Sequence, residues 1–393
     1  MIYLRIKLSR HGLLLFFWGL TLFIITRQVP FNSLSILGNV GTFMVCLLGM
    51  NLRPDLFRRN YVVILGWILF LFVYAVFVGN SIGNICRFAI ILLFLMLAYF
   101  LKLPEQSLKL LFIFTFIQCL LLWCLELILM FFFDLGSYGV IRHFFLGNNW
   151  GDIYSYDGVF YRMPIKGNAL LPFCYVLSYY IPLFPQKGLK VYRIIYLGAC
   201  IFAGNFAYLI SIAFFHVVYY FTKNRSYIQF KNKILLSGFL AIILFPLAYI
   251  YTIKMLEMKE DVSLGTRYDQ AEVLMENLSE SGTVFVLGQG LGNLVKVVTP
   301  FRDYSNMKYY ELQVLYFLNQ MGVLNFVLFV LVNIYLAFKT IRYPQLLFVY
   351  LCYVVYAVTN PYILDTIHFI VIVSLVISSK VYESRQCNNV ILS

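Results

Sequence analysis

Apolar residues run along this chain in long unbroken blocks. They lack both the alternation of a half-buried strand and the one-sided spacing of a surface helix. The blocks fall near 12–27, 33–50, 61–79, 83–101, 107–133, 168–184, 190–204, 205–222, 233–252, 310–338, 344–360 and 362–380. An apolar run of about 18 residues or more reads as a membrane-spanning helix. Lipid offers the backbone no hydrogen-bond partners, so a span is a helix or a strand of a closed barrel, and runs this long without alternation are helices. The block from 190 to 222 breaks at Gly204-Asn205 and counts as one span or two. Asn360-Pro361 parts the last two blocks, because a residue before proline is driven out of the helical region. The expected fold is all-α: one polytopic transmembrane helical bundle of about eleven or twelve spans.

Two polar stretches interrupt the pattern, 134–167 and 253–309. The first is rich in Gly, Asn, Asp and Tyr, which fits a folded loop better than a spacer. The second carries one predicted helix. Thr266 with Asp269 three residues on makes a capping-box-like start, and Tyr268, Ala271, Leu274 and Met275 form an apolar stripe. That helix is expected to lie on the membrane surface with Arg267 in its first turn.

Composition agrees: 62% of residues are hydrophobic and 12% charged, where a soluble domain carries about twice that share of charge. A net charge of +13 could suit nucleic acid, but the Lys and Arg residues sit in short loops between spans, which excludes that class. With the N-terminus in the cytoplasm, the inner loops carry Arg53, Arg58 and Arg59, then Lys102 and Lys109, Lys187 to Arg193, Lys223 to Lys233, Lys339 and Arg342, and Lys380 and Arg385. The short outer turns carry Arg27 alone. Both termini are then cytoplasmic, and both long loops are extracytoplasmic. Arg5, Lys7 and Arg10 before the first block imitate a signal peptide, but no small-residue cleavage site follows, so a retained first span is expected. The cysteines form no CxxC pair, and Cys46, Cys86, Cys119, Cys124, Cys174, Cys200 and Cys352 lie in apolar runs as core thiols.

Ionisable residues in or beside spans carry the chemistry, because they are expensive there. On this topology Arg87, Glu126, Arg162, Arg267, Glu311, Asp365 and His368 share one depth on the outer side. Each has a plainer reading. Arg87 and Glu126 could pair to offset each other's burial, Asp365 could cap a helix after Pro361, and His368 could be a satisfied packing histidine. Glu311 is either a carboxylate placed at a helix N-terminus by the dipole or a general base beside the arginines. Arg162 and Arg267 lie next to glycines where polar loops return to the bilayer, and guanidinium suits phosphate oxygens. Gly288-Gln289-Gly290-Leu291-Gly292 is G-x-G-x-G without a βαβ unit, so it reads as a tight turn whose backbone approaches a sugar or phosphate. No metal-ligand motif is visible.

These pieces resemble the bacterial O-antigen polymerase and O-antigen ligase superfamily of membrane glycosyltransferases. The resemblance rests on Gly265-Thr266-Arg267, Gly288-Gln289-Gly290, Gln320-Met321-Gly322, and Arg162 with Gly167-Asn168. The ligases commonly carry a histidine eleven residues before the glycine that stands here as Gly322. Here it is Glu311, which favours the polymerases. The resemblance implies a donor oligosaccharide on undecaprenyl pyrophosphate and metal-independent inverting transfer without a cofactor. Arg267 and Arg162, with Arg87, would neutralise the leaving group, and Glu311 would accept or steer the acceptor hydroxyl. Gly288, Gly290, Tyr310 and His368 would line the substrate. Tyr154, Tyr156, Phe160, Tyr161, Tyr304 and Tyr309 offer further faces for sugar rings. The expected partners are the lipid-linked oligosaccharide, the bilayer, a chain-length regulator and a flippase. The competing readings are a ligase for a lipid A-core or other acceptor and a flippase. A flippase would be expected to show internal repeats, and none is visible.

Overall fold

The structure, a computed structural model, describes residues 9–26, 35–50, 60–134, 138–148, 152–155, 160–181, 188–222, 265–299, 303–305, 307 and 310–391. Its helices in chain order are α1 (Arg10–Ile25), α2 (Ser35–Gly49), α3 (Asn60–Val78), α4 (Ile82–Ala98), α5 (Gln106–Phe132), α6 (Tyr138–Gly147), α7 (Leu170–Leu177), α8 (Leu189–Phe202), α9 (Phe206–Thr222), α10 (Gly265–Leu278), α11 (Gly282–Leu287), α12 (Gln313–Thr340), α13 (Pro344–Val358) and α14 (Thr366–Ile391). Among the described residues the only extended pairings are two isolated bridges, Tyr154 with Arg162 and Val298 with Asp303. Three helical segments, Gln106–Phe132, Gln313–Thr340 and Thr366–Ser384, are long and apolar enough to cross a membrane, and shorter apolar helices accompany them. Their outward faces are apolar as well: Phe77 is 89% exposed and Phe131 82%. Water does not favour such a surface, which suggests membrane association.

The spine is α14. From Phe369 to Ile377 every side chain is buried, and the helix packs on α4, α5, α7 and α13. Beside it, all eight residues of α7 are buried, following a 3-10 turn over Lys166–Ala169. Polar side chains stitch the apolar helices together. Trp18 Nε1 donates to the Ser107 carbonyl at 2.9 Å, Thr115 and Tyr196 hydroxyls meet at 2.6 Å, and Ser211 Oγ donates to the Cys352 carbonyl at 2.6 Å. Such bonds specify helix partners where burial of apolar surface discriminates poorly.

Most expected spans match a helix within a few residues. The break at Gly204-Asn205 separates α8 from α9, with Gly204 at φ +69°. The span expected at 233–252 lies outside the described residues. Three details differ. The helix after Pro361 begins only at Thr366, because 359–364 forms turns. The second long loop holds two helices rather than one: Ser281 Oγ accepts the Val284 N–H at 3.2 Å and starts α11. Thr266 sits inside α10 rather than capping it. The buried face of α10 is Thr266, Gln270, Leu274 and Leu278, whereas Tyr268 and Met275 of the expected stripe point outward, 73% and 48% exposed.

Candidate functional site

The second long loop is built around a break in α12. Gly322 adopts φ +69°, ψ 170° inside the helix. In an unbroken helix the carbonyls of Asn319 and Gln320 would accept N–H groups four residues on. Here they accept from the glycine turn of the second loop, Gln289 N–H at 2.9 Å and Gly290 N–H at 3.0 Å. The two backbones touch so closely that a Cβ on Gly288 would lie 2.3 Å from the Gln320 oxygen, and one on Gly322 2.4 Å from the Gly288 nitrogen. Gly288, Gly290 and Gly292 all have φ above +80°, so glycine is needed both for conformation and for space. The far side of the turn seats on the α3–α4 corner. Tyr74 OH donates to the Gly288 carbonyl, and Asn80 Nδ2 donates to the Gln289 and Leu291 carbonyls.

This corrects the expected role of Gly288 and Gly290. Their turn does bring backbone into close approach, but toward protein rather than ligand. The amides of Gly288, Gln289, Gly290 and Gly292 all donate within the fold, the last to Gln320 Oε1 at 3.1 Å. Tyr310 is likewise interior. It is fully buried, stacks between Tyr304 and Tyr316, and donates its hydroxyl to the Val295 carbonyl at 2.6 Å. With Tyr161 and Tyr304 also buried, these rings are core and offer no face to a sugar. Tyr156 and Tyr309 lie outside the described residues.

The clasp holds α10 against the start of α12 and brings together two residues 44 apart in sequence. Arg267 Nε donates to Glu311 Oε2 at 2.9 Å, with about a third of each side chain exposed. Tyr304 OH donates to Glu311 Oε1 at 3.3 Å. The terminal nitrogens of Arg267 make no hydrogen bond among the described residues. The arrangement is a guanidinium fixed at its neck with its fork open, beside a carboxylate at a helix N-terminus. A fork of this kind takes an anionic oxygen pair bidentately. Arg87, on the second turn of α4, is exposed, and its charge reaches the Tyr316 phenol one turn into α12.

The other expected site residues divide into two further groups. Arg162 is 5% exposed. Its backbone bonds reciprocally with Tyr154, its guanidinium carbon lies 5.4 Å from the centre of the Phe160 ring, and its Cβ fills the space beside Gly204. The neighbouring Tyr161 N–H donates to Glu126 Oε1 at 2.7 Å, so the first loop supplies a partner for Glu126 where a pairing with Arg87 was conceivable. Burial, then the Asp134 and Glu126 carboxylates, push the Tyr161 phenol above its ordinary range. Asn168 donates to the Met163 carbonyl and accepts from Gln118, which seats the Gly-Asn pair in the core.

His368 is 3% exposed and both ring nitrogens are engaged within the fold, Nδ1 with the Ile363 carbonyl and Nε2 with Tyr350 OH at 2.8 Å. Facing a carbonyl, Nδ1 carries the proton, so Tyr350 donates to Nε2. Tyr350 also meets Tyr99, and Tyr99 bonds Asn333 in the C-terminal half of α12. His368 is a packing histidine, which corrects its assignment to the substrate. Asp365 Oδ1 accepts the Thr366 N–H at 2.7 Å and its carbonyl accepts from His368 and Phe369, so it caps α14. By their contacts the seven ionisable residues fall into three sets. Sequence reasoning missed Asn80, Tyr74, Gln270 and Asn319. For Asn319 the available signal was an amide inside an apolar run; Tyr74, Asn80 and Gln270 carried none.

No protein-family model, no curated protein and no solved structure matches this chain.

Proposed function

We propose that this protein is a membrane glycosyltransferase that polymerises a surface polysaccharide. It joins oligosaccharide repeat units carried on undecaprenyl pyrophosphate at the extracytoplasmic face of a bacterial inner membrane, and both of its termini are cytoplasmic. The observation that carries this reading is the Arg267–Glu311 pair, with the guanidinium fork unengaged among the described residues and about a third of each side chain exposed. The resemblance adds support, because three of its four pieces, those of the second loop and α12, are neighbours, while Arg162 with Gly167-Asn168 lies in a separate group. Gly288 and Gly290 clasp Gln320 and Gly322, and the clasp brings Arg267 to Glu311.

In this mechanism the acceptor hydroxyl attacks the anomeric carbon as the bond to the pyrophosphate oxygen breaks. The hydroxyl proton passes to Glu311, and the leaving pyrophosphate takes its negative charge onto the Arg267 fork, with Arg87 adding cationic potential. A single displacement inverts the anomeric centre.

The test is a gel of surface polysaccharide from a strain lacking the protein, complemented with wild type or with Arg267→Ala. Single repeat units on the cell-surface anchor, without a ladder, are expected for the deletion and for Arg267→Ala, the latter at normal protein level. Removing one charge-stabilising donor costs roughly a hundred- to a thousandfold in rate. Free lipid-linked polymer with nothing on the anchor would make the protein a ligase. Repeat units trapped in the inner leaflet would make it a flippase and end the roles given to Arg267 and Glu311.

A further inference from the structure

The helix bearing Arg267 is joined to the helix that follows Glu311 by two side-chain amides, neither of which the resemblance involves. Gln270, one turn after Arg267 and 0% exposed, accepts the N–H of Leu312, the residue after Glu311, through Oε1 at 3.3 Å. Asn319, also 0% exposed, returns the contact: its Nδ2 donates to the Leu274 carbonyl on α10 at 3.1 Å. Each helix thus sends one amide to the other's backbone. The contacts lie four residues apart on α10 and seven apart on α12, so both the rotation and the rise of one helix against the other are fixed. The Gln270 contact sits beside the ion pair and the Asn319 contact lies two turns away.

We infer that Gln270 and Asn319 are positioning residues that set Arg267 against Glu311 for the reaction. The inference rests on reading that pair as the reacting one. A buried amide whose purpose was stability alone would use all its polar atoms. These do not: among the described residues, Gln270 Nε2 and Asn319 Oδ1 have no partner. The half of each amide that is satisfied is the half that spans the two helices, which fits selection for geometry. A misplacement of about 1 Å between reacting groups costs on the order of a hundredfold in rate.

The experiment compares purified Gln270→Met, Asn319→Leu and Arg267→Ala with wild type, using a synthetic lipid-pyrophosphate-linked repeat unit as donor and acceptor. Gln270→Met leaves the Leu312 N–H without its acceptor and Asn319→Leu takes a donor from the Leu274 carbonyl, partly offset by removing an unpartnered buried polar atom, so a modest thermal shift is expected and kcat is read per folded molecule. Gln270→Met is expected to lower kcat per folded molecule between roughly tenfold and a hundredfold with KM little changed, and Asn319→Leu to lower it less. Unchanged kcat in both variants, with Arg267→Ala inactive, overturns the positioning role and leaves the function standing. A lowered melting temperature at wild-type kcat makes the amides structural and overturns it equally. If Gln270→Met does not accumulate, Asn319→Leu decides alone by the same criterion. Wild-type turnover in Arg267→Ala would instead overturn the reading on which both depend.

Discussion

Two loops of this protein each bring an arginine back to the helical bundle beside a glycine, and the fold treats them in opposite ways. Around Arg162 the side chains do the fastening. Glu126 takes a loop N–H, Asn168 bridges Met163 and Gln118, and the arginine itself is 5% exposed. Around Arg267 the backbone does more of the fastening, joined by the Gln270 and Asn319 amides that span α10 and α12. Glycines clasp glycines, the amides of Gly288, Gln289, Gly290 and Gly292 are all used, and the arginine side chain remains 35% exposed with its fork unengaged among the described residues. When backbone carries the docking, side chains are left for chemistry. A buried guanidinium must instead be satisfied by the fold around it, which ties it to structure. An arginine's distance from glycine in sequence therefore says less about its role than which atoms hold its loop.

Breaking the backbone clasp is the severest way to test that contrast. In Gly322→Val the new Cβ meets the Gly288 nitrogen and the Val286 oxygen at 2.4 Å, and a β-branched residue must take φ +69°. Overpacking and backbone strain together cost about 3–5 kcal/mol. The expected result is a lowered melting temperature in detergent and rapid proteolysis within 265–299. Gly282→Ala, which points into open space at the start of α11, is the matched control and should stay within about 0.5 kcal/mol of wild type. A clasp variant as stable as the control would mean that the second loop is held by other contacts.

A smaller effect sharpens the other half. Glu126→Ala leaves the buried Tyr161 N–H without the acceptor it now has at 2.7 Å. An orphaned donor of this kind costs about 1–3 kcal/mol. The variant should unfold earlier yet turn over normally per folded molecule, the reverse of Arg267→Ala. Lost turnover at unchanged stability would move the first loop into the reacting site and erase the distinction between the two arginines.

The apolar helices were legible in sequence because apolar length is a local property, readable without knowing a partner. Gly204-Asn205 and Pro361 were legible for the same reason, since their backbone preferences act on their own neighbours. Arg267 and Glu311 were legible as candidates, because charges at the edge of an apolar block are costly wherever they point. What sequence could not convey was occupancy. Whether Gly288 approaches a phosphate or the Gln320 carbonyl depends on a helix break 34 residues later. Whether Tyr310 and His368 face a substrate depends on which rings pack over them. Buried tyrosines and half-exposed ones are the same letter.

The finest distinction lies between two carboxylates at helix starts, Glu311 before α12 and Asp365 before α14. Both sit where the dipole favours negative charge. Asp365 caps its helix through Thr366 N–H, a duty Asn performs nearly as well as Asp. Asp365→Asn should therefore cost only the dipole contribution, about 0.3–1 kcal/mol, and leave polymer length unchanged. Glu311 has no such cap bond; its oxygens face Arg267 and Tyr304. Glu311→Gln keeps the shape but loses the charge that orients the guanidinium and the basicity that would accept a proton, so it should abolish the ladder. The two variants are compared on one polysaccharide gel at equal protein level. The reverse order, a ladder kept by Glu311→Gln and lost by Asp365→Asn, would place the base at the start of α14. The open arginine fork would then need a different carboxylate opposite it.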